Sequence, residues 1–252
     1  MKSNRIICIC ILLVSLVSSA FAQTDLIKKA NDLYSKGDYS AASELYEQVL
    51  KTDQVAPELY YNLANSYYKM NETGRSILNY ERALRIKPNY KAARVNLEMA
   101  QQKVVDNVVQ VPSFFLMRWM DFLMKLLSSN EWFVISLISL VVTIAGFMFF
   151  IFGYTLSFRK TSFYIAVVFL AFTVVGMFFS GLRKSQLMHH NEAVIMVGSV
   201  SVKSSPDKSG TDLFQLHEGT KVKVKSELND WTEIVLGNGS VGWIEGDHIE
   251  KI

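Results

Sequence analysis

The sequence predicts a multidomain membrane protein in three parts: an all-α repeat domain, a two-helix transmembrane hairpin and a small all-β barrel. Three observations carry that expectation. Residues 132–158 and 161–182 run without a single charge, and at about 1.5 Å per residue each exceeds the roughly 30 Å hydrocarbon core of a bilayer. Residues 30–84 match themselves at a shift of 34. From residue 192 onward the pattern changes to short alternating runs broken by Gly, Asn and Pro.

Composition agrees. Of the 252 residues 50% are apolar and 19% charged, against about 25% charged in a soluble domain, and the mean hydropathy is +0.18. A net charge of +3 is too mild for the concentrated basic face that nucleic acid requires, so no nucleic-acid partner is expected. The two cysteines, Cys8 and Cys10, both lie in the first apolar run. If that run is removed, disulfide scaffolds, Cys-ligated metals and cysteine nucleophiles go with it.

The N-terminal residues 1–22 have the layout of a secretory signal peptide. Lys2 and Arg5 make a basic start, Ile6 to Val17 is uncharged, and Ser18-Ser19-Ala20-Phe21-Ala22 supplies the small-residue ending, with cleavage expected between Ala22 and Gln23. An uncleaved N-terminal anchor is the alternative.

In the repeat region, residues 23–111, Ala30 falls on Ala64, Asn31 on Asn65, Tyr34 on Tyr68, Tyr46 on Tyr80, Glu47 on Glu81 and Leu50 on Leu84. Gly37-Asp38 marks a tight turn, Ala41-Ala42 a small-residue helix face, and Pro88 ends the second unit. The repeats therefore occupy 25–56 and 57–90. A third helix over 91–105, with Ala93, Leu97 and Ala100 at helical spacing, reads as a cap that closes the stack.

Over residues 25–90 this strongly resembles the tetratricopeptide repeat family, with departures at Asn71 and Ser76, where the family favours Gly and Ala. The resemblance implies a concave groove walled by Asn31, Tyr34, Tyr61, Asn62, Asn65, Tyr68, Asn96 and Met99. Asparagine offers a peptide backbone both a donor and an acceptor, and tyrosine offers rigid contact area. Repeat packing is the competing role for each tyrosine. Asn31 and Asn62 match two positions of the clamp that holds chaperone tail carboxylates in some relatives. Ile27, Ala92 and Asn96 stand where that clamp has lysine and arginine, so a terminal-carboxylate ligand is not expected.

Residues 112–131 carry a polar stripe, Arg118, Asp121, Lys125 and Ser128 or Ser129, among Phe114, Phe115, Met117, Trp119, Met120, Phe122, Leu123, Leu126 and Leu127. That is an amphipathic helix suited to the membrane surface, the alternative being a helix packed under the repeats. Trp132, Tyr154 and Tyr164 sit near the ends of the two spans, where amphipathic rings prefer the interface. Arg159 and Lys160 separate the spans and suggest a short cytoplasmic loop. Arg183 and Lys184 nearly balance that charge count, and export by the signal peptide decides the orientation. Both flanking domains are then periplasmic, on an inner membrane crossed twice. Gly176 and Ser180 form a small-xxx-small pair that packs either the hairpin or a partner helix. No ionisable residue lies within either span, which disfavours ion or proton transport.

In residues 192–252, Val200–Val202, Lys221–Lys225, Trp231–Val235 and Gly242–Ile244 are strand candidates. Turns are expected at Ser205–Asp207, Glu218–Thr220, Asn229-Asp230 and Gly237–Gly239. Inward Val, Leu, Ile and Trp would fill a small closed barrel. Asn229-Asp230-Trp231 and Gly239–Ile244 resemble the last two strands of the bacterial SH3-type domain, and Val202–Pro206 its first loop. That resemblance implies binding of cell-wall peptide or of a partner protein. Trp231 and Trp243 are expected mainly in the core.

Chemistry-bearing clusters are sparse. His189 and His190 are adjacent and point apart, His217 and His248 belong to the barrel, and none stands in a metal-ligand spacing with an acid, so no metal, cofactor or catalytic residue is expected. The whole order of parts is similar to the BatE family of the Bacteroides aerotolerance operon. It implies work beside von Willebrand A-type membrane proteins and a MoxR-type ATPase in oxidative-stress survival. The expected function is a non-enzymatic membrane-anchored scaffold, and the alternative a tether or sensor whose barrel contacts peptidoglycan.

Overall fold

The computed structural model describes residues 25–52, 56–106, 108, 114–188 and 191–252; the expected signal peptide, Ala22 and Gln23 lie outside them. The chain divides into two compact units, one drawn from Met1–Leu84, Lys91–Val109 and Asn191–Ile252, the other from Arg85–Tyr90 and Gln110–His190.

The first unit begins with α1 (residues 25–35), α2 (Tyr39–Leu50), α3 (Pro57–Lys69), α4 (Thr73–Ile86) and α5 (Lys91–Gln101). Each helix starts or stops where local chemistry requires it. Asp38 caps α2 by accepting from the Ala41 amide, and Pro57 stands in the first turn of α3, where its missing N–H costs nothing. The chain leaves α1 through Gly37 at φ 85° and leaves α3 through Asn71 at φ 63°. Both are left-handed helix stops at the same place in the repeat, and asparagine is the side chain that tolerates that region best after glycine.

Small residues let the helices approach: Ala30, Ala42, Ala64, Ala83, Ala93 and Ala100 are all fully buried. Tyr46, Val49, Leu59, Leu63 and Tyr67 fill the space between them. At about 1.5–3 kcal/mol for each large apolar side chain, this burial and not helix propensity holds such short helices. Ser76 is also fully buried, and its hydroxyl has no hydrogen-bond partner among the described residues.

The barrel is one antiparallel sheet of seven strands: β1 (Glu192–Ile195), β2 (Ser199–Lys203), β3 (Asp212–His217), β4 (Lys221–Leu228), β5 (Trp231–Val235), β6 (Val241–Glu245) and β7 (Ile249–Lys251). The order across the sheet is β3-β2-β6-β5-β4-β1-β7. Its core is Ala193, Ile195, Val200, Val202, Leu216, Val222, Ile234, Leu236 and Ile244. Strand parity excludes both tryptophans from it. Thr232 and Ile234 point inward on β5, and Gly242 and Ile244 on β6, so Trp231 and Trp243 point outward and are half-buried. The expectation of core tryptophans is corrected accordingly.

Repeats and barrel pack together within this unit. The Gly74 amide donates to Glu218 Oε1 at 2.7 Å, and Lys221 Nζ bridges Glu81 and Glu192 at 3.0 and 2.9 Å. Arg82 donates to Glu250 Oε1 at 2.9 Å and to the Lys251 carbonyl at 2.7 Å. After α5 the chain crosses to the barrel. Asp106 Oδ2 accepts from the His217 amide at 2.7 Å and from Thr220 Oγ1 at 2.6 Å, Asp106 Oδ1 lies 2.7 Å from His217 Nδ1, and Val108 packs on the barrel core. His217 is thus a partner of Asp106. Burial works to raise the Asp106 carboxyl, but the hydrogen bonds from Thr220 and His217 outweigh it and hold it below the ordinary carboxylate range. A Cβ on Gly219 would stand 2.9 Å from Val104 and 3.0 Å from Ile77, so this turn needs glycine both for its positive φ of 86° and for the close approach.

The second unit is α6 (Phe115–Lys125), α7 (Ser129–Phe152) and α8 (Leu156–Met188). The expected single helix over 112–131 is two pieces, because Ser128 and Glu131 form a reciprocal capping box that starts α7 afresh. The hairpin turn also moves. Gly153 ends α7 in an extended conformation, and Thr155 opens α8 by accepting from the Phe158 amide through Oγ1 and from the Arg159 amide through its carbonyl. Arg159 and Lys160 therefore lie in the first turns of α8, with Arg159 Nε donating back to the Phe150 carbonyl at 2.9 Å.

The seam between α7 and α8 is made of small and hydroxylated residues: Ser136, Ser139, Thr143 and Gly146 facing Ser162, Ala166, Thr173 and Gly176. Several of these hydroxyls are satisfied within the pair, with Ser139 Oγ donating to the Phe169 carbonyl and Ser129 and Ser180 each donating to the other's carbonyl. A Cβ on Gly176 would come 2.3 Å from Ser136 Oγ. Gly176 and Ser180 thus pack the hairpin itself.

Candidate functional site

The eight groove residues come from α1, α3 and α5, the inner helices of the repeats and the cap. Their amides are ordered by a ladder that repeats every 34 residues. Asn31 Oδ1 accepts from the buried Tyr46 hydroxyl at 2.6 Å and from Asn62 Nδ2 at 3.3 Å. One repeat on, Asn65 Oδ1 accepts from the buried Tyr80 hydroxyl at 2.6 Å and from Asn96 Nδ2 at 2.8 Å, and Asn96 Nδ2 also lies 3.3 Å from the Tyr61 hydroxyl. Burial pushes the Tyr46 hydroxyl up to about 12 and raises that of Tyr80 as well, so both remain donors at any physiological pH.

Two donors converging on each Oδ1 determine which way the amides point. The Asn31 and Asn65 Nδ2 groups and the Asn62 and Asn96 Oδ1 atoms have no hydrogen-bond partner among the described residues. The result is two donors and two acceptors set along the inner helices, a pattern that fits the N–H and C=O groups of an extended or helical segment. Around them Tyr34 meets Tyr39 edge to face at 5.1 Å, Tyr61 meets Tyr80 at 6.1 Å, and Met99 is 48% exposed. Tyr68 is covered by Lys103, whose Nζ lies 4.1 Å from the ring centroid. Ile27, at the expected clamp position, packs against the repeat core.

Tyr46 and Tyr80 were legible as repeat matches, yet spacing alone does not show that they orient the groove amides. The signal was there: Asn at i, Tyr at i+15 and Asn at i+31 occur twice, one repeat apart.

The barrel has a cavity of its own, of about 560 Å³, lined by Trp231 with Glu227, Asp230, Glu245, Asp247, Lys208 and Lys251 among others. Beside it Glu245, Asp247 and His248 bring one donor atom each within 4.8 Å of one another. Their imidazole–carboxylate distances of 3.8 and 4.0 Å describe a loose surface trio. This proximity comes from the tight turn at Gly246–His248 and corrects the expectation that no acid stands in a metal-ligand spacing with a barrel histidine.

Comparison with known families matches a TPR repeat over residues 30–71, a tetratricopeptide repeat over 57–90 and a bacterial SH3 domain over 198–250. Among curated proteins, the chain is 27% identical over 99 residues to the tetratricopeptide repeat and J domain-containing co-chaperone DNJ1 of Cryptococcus neoformans var. grubii, covering 37% of this chain and 19% of that protein. It is 38% identical over 65 residues to the TPR repeat-containing thioredoxin TTL4 of Arabidopsis thaliana, covering 26% of this chain and 10% of that protein. These relatives are thus matched over a small part of their own length. The chain carries tetratricopeptide repeats in its N-terminal part and a bacterial SH3 domain at its C-terminal end, joined by two helices long and apolar enough to cross a membrane.

Proposed function

We propose that the protein is a membrane-anchored, non-enzymatic adaptor whose repeat groove takes a segment of a partner protein by its backbone. The observation that carries this is the amide ladder, whose outward donors and acceptors are neutral and suit a peptide backbone better than a charged terminus. The membrane reading is supported by exposure. In each of α7 and α8 only 22% of the most apolar 18 residues are buried within the chain, whereas a core helix of a soluble domain would be mostly covered. Repeats and barrel belong to one compact unit although the hairpin separates them in sequence, which favours placing both on one side of the membrane, the periplasmic side if the signal peptide acts.

Likeness to the BatE arrangement extends the proposal to an envelope complex for aerotolerance, with von Willebrand A-type membrane proteins and a MoxR-type ATPase as partners. A peptidoglycan tether is the second reading, favoured by the outward Trp231 at the barrel cavity.

The test is a pull-down of tagged full-length chain from mild-detergent membranes, comparing wild type with the Asn62→Ala/Asn96→Ala double variant. These two asparagines only donate within the ladder, whereas removing Asn31 or Asn65 would orphan a buried tyrosine hydroxyl and cost about 1–3 kcal/mol of fold stability. Recovery of von Willebrand A-type proteins with wild type, and much less with the double variant, supports the adaptor. Equal recovery with both overturns the groove assignment, and recovery of wall fragments alone moves the reading to the tether.

A further inference from the structure

Near the C-terminal end of α8, one side chain is at odds with its surroundings. Arg183 is 5% exposed. Its Nη1 donates to Gln186 Oε1 at 2.8 Å and its Nη2 to the Arg85 carbonyl at 3.1 Å, both neutral acceptors, and its Nε has no partner among the described residues. No carboxylate pairs with it among the described residues. Asp121 of α6 is the acid that acts on it across space, Arg85 acts against it, and Asp121 is itself held by Lys125 at 3.0 Å. A buried guanidinium without a counter-charge costs several kcal/mol.

We propose that the missing anion is the phosphate of an anionic phospholipid headgroup, bound at Arg183. This rests on the membrane reading above, and three further observations point to a lipid. Arg183 directly follows the uncharged run that ends at Leu182, which is headgroup depth for a spanning helix. In the same unit, α6 leaves Phe115, Met117, Trp119 and Phe122 between 62% and 68% exposed, an apolar surface of the kind that seats in the acyl–headgroup boundary. The Gln186 side chain on Nη1 is exposed, so a phosphate oxygen can replace its amide oxygen without disturbing a packed residue, and charge-assisted bonds to phosphate are about twice as strong as neutral ones.

The experiment measures the unfolding midpoint of the delipidated full chain in neutral detergent, with added phosphatidylglycerol, phosphatidylcholine or inorganic phosphate. Phosphatidylglycerol should raise the wild-type midpoint by several degrees, and the other two should not. Without lipid, Arg183→Gln should melt higher than wild type, because it removes an uncompensated charge, and its response to phosphatidylglycerol should vanish. Lys184→Gln, an exposed neighbour with the same change in net charge, should keep the response. An equal shift from phosphatidylcholine or from inorganic phosphate overturns the lipid-phosphate site, as does a full phosphatidylglycerol response in Arg183→Gln. If Arg183→Gln does not fold, the three wild-type titrations still decide. Failure of the membrane reading looks different: the wild-type chain would then leave the membrane fraction in an alkaline wash.

Discussion

At Ser76 the second repeat places a hydroxyl at a fully buried position where the first repeat has Ala42. That oxygen has no partner among the described residues, and an unsatisfied buried hydroxyl costs about 1–3 kcal/mol. Ser76→Ala should therefore stabilise the chain by about 1 kcal/mol, read as a higher midpoint in chemical denaturation; a lower midpoint would show that the hydroxyl has a hidden partner. The same comparison of repeats explains what was legible one residue at a time. Asn71 departs from the family residue but not from its task, because asparagine also accepts the left-handed conformation, and it gains a 3.0 Å bond from Lys103. The roles of Trp231 and Trp243 were misread because large aromatics are usually core, whereas position within an alternating strand decides their side.

At the scale of the element, the α7–α8 seam makes a sharper claim. Gly176 faces Ser136 with no room for a Cβ, while Gly181 on the same helix is exposed with open space around it. Gly176→Leu should part the hairpin and lower the thermal midpoint in detergent by many degrees, and Gly181→Leu should leave it unchanged or slightly higher. Equal effects would mean that the helices do not pack along this face. The existence of both long helices was plain from uncharged length, because the bilayer criterion reads composition directly. Their ends were not. A capping box at Ser128 and an extended Gly153 depend on side-chain reach and backbone angles that hydropathy does not encode, so the turn lies before Arg159 rather than at it. Strands β1, β3 and β7 were missed for a related reason: β1 and β7 are short and gain order from pairing with each other, and β3, at the sheet edge, gains its order from β2.

The whole molecule turns on how the repeats and the barrel form one unit. No spacing rule could have shown it, since Asp106 meets His217 and Thr220 across 111 and 114 residues with the hairpin between. The Asp106 carboxyl is held below its ordinary value, so its contribution is fully present above the unfolded carboxylate range, near pH 4, and is lost as pH falls through the lower folded value. Asp106→Asn should weaken the union by about 1–3 kcal/mol at neutral pH and flatten the acid limb of the stability curve. Amide exchange at His217 and Thr220 would report it, and unchanged protection would show that the remaining contacts suffice.

The most direct test of the account is thiol accessibility in intact cells, with single cysteines introduced at Lys36 in the repeats, Lys208 in the barrel and Lys160 beside the hairpin turn, in a chain whose Cys8 and Cys10 are replaced by serine. If both domains stand on the outer side of a twice-crossed membrane, a membrane-impermeant reagent labels the chains with Lys36→Cys and Lys208→Cys, and reaches Lys160→Cys only after lysis. Labelling of Lys36→Cys and Lys208→Cys from opposite sides, or of all three without lysis, would contradict it.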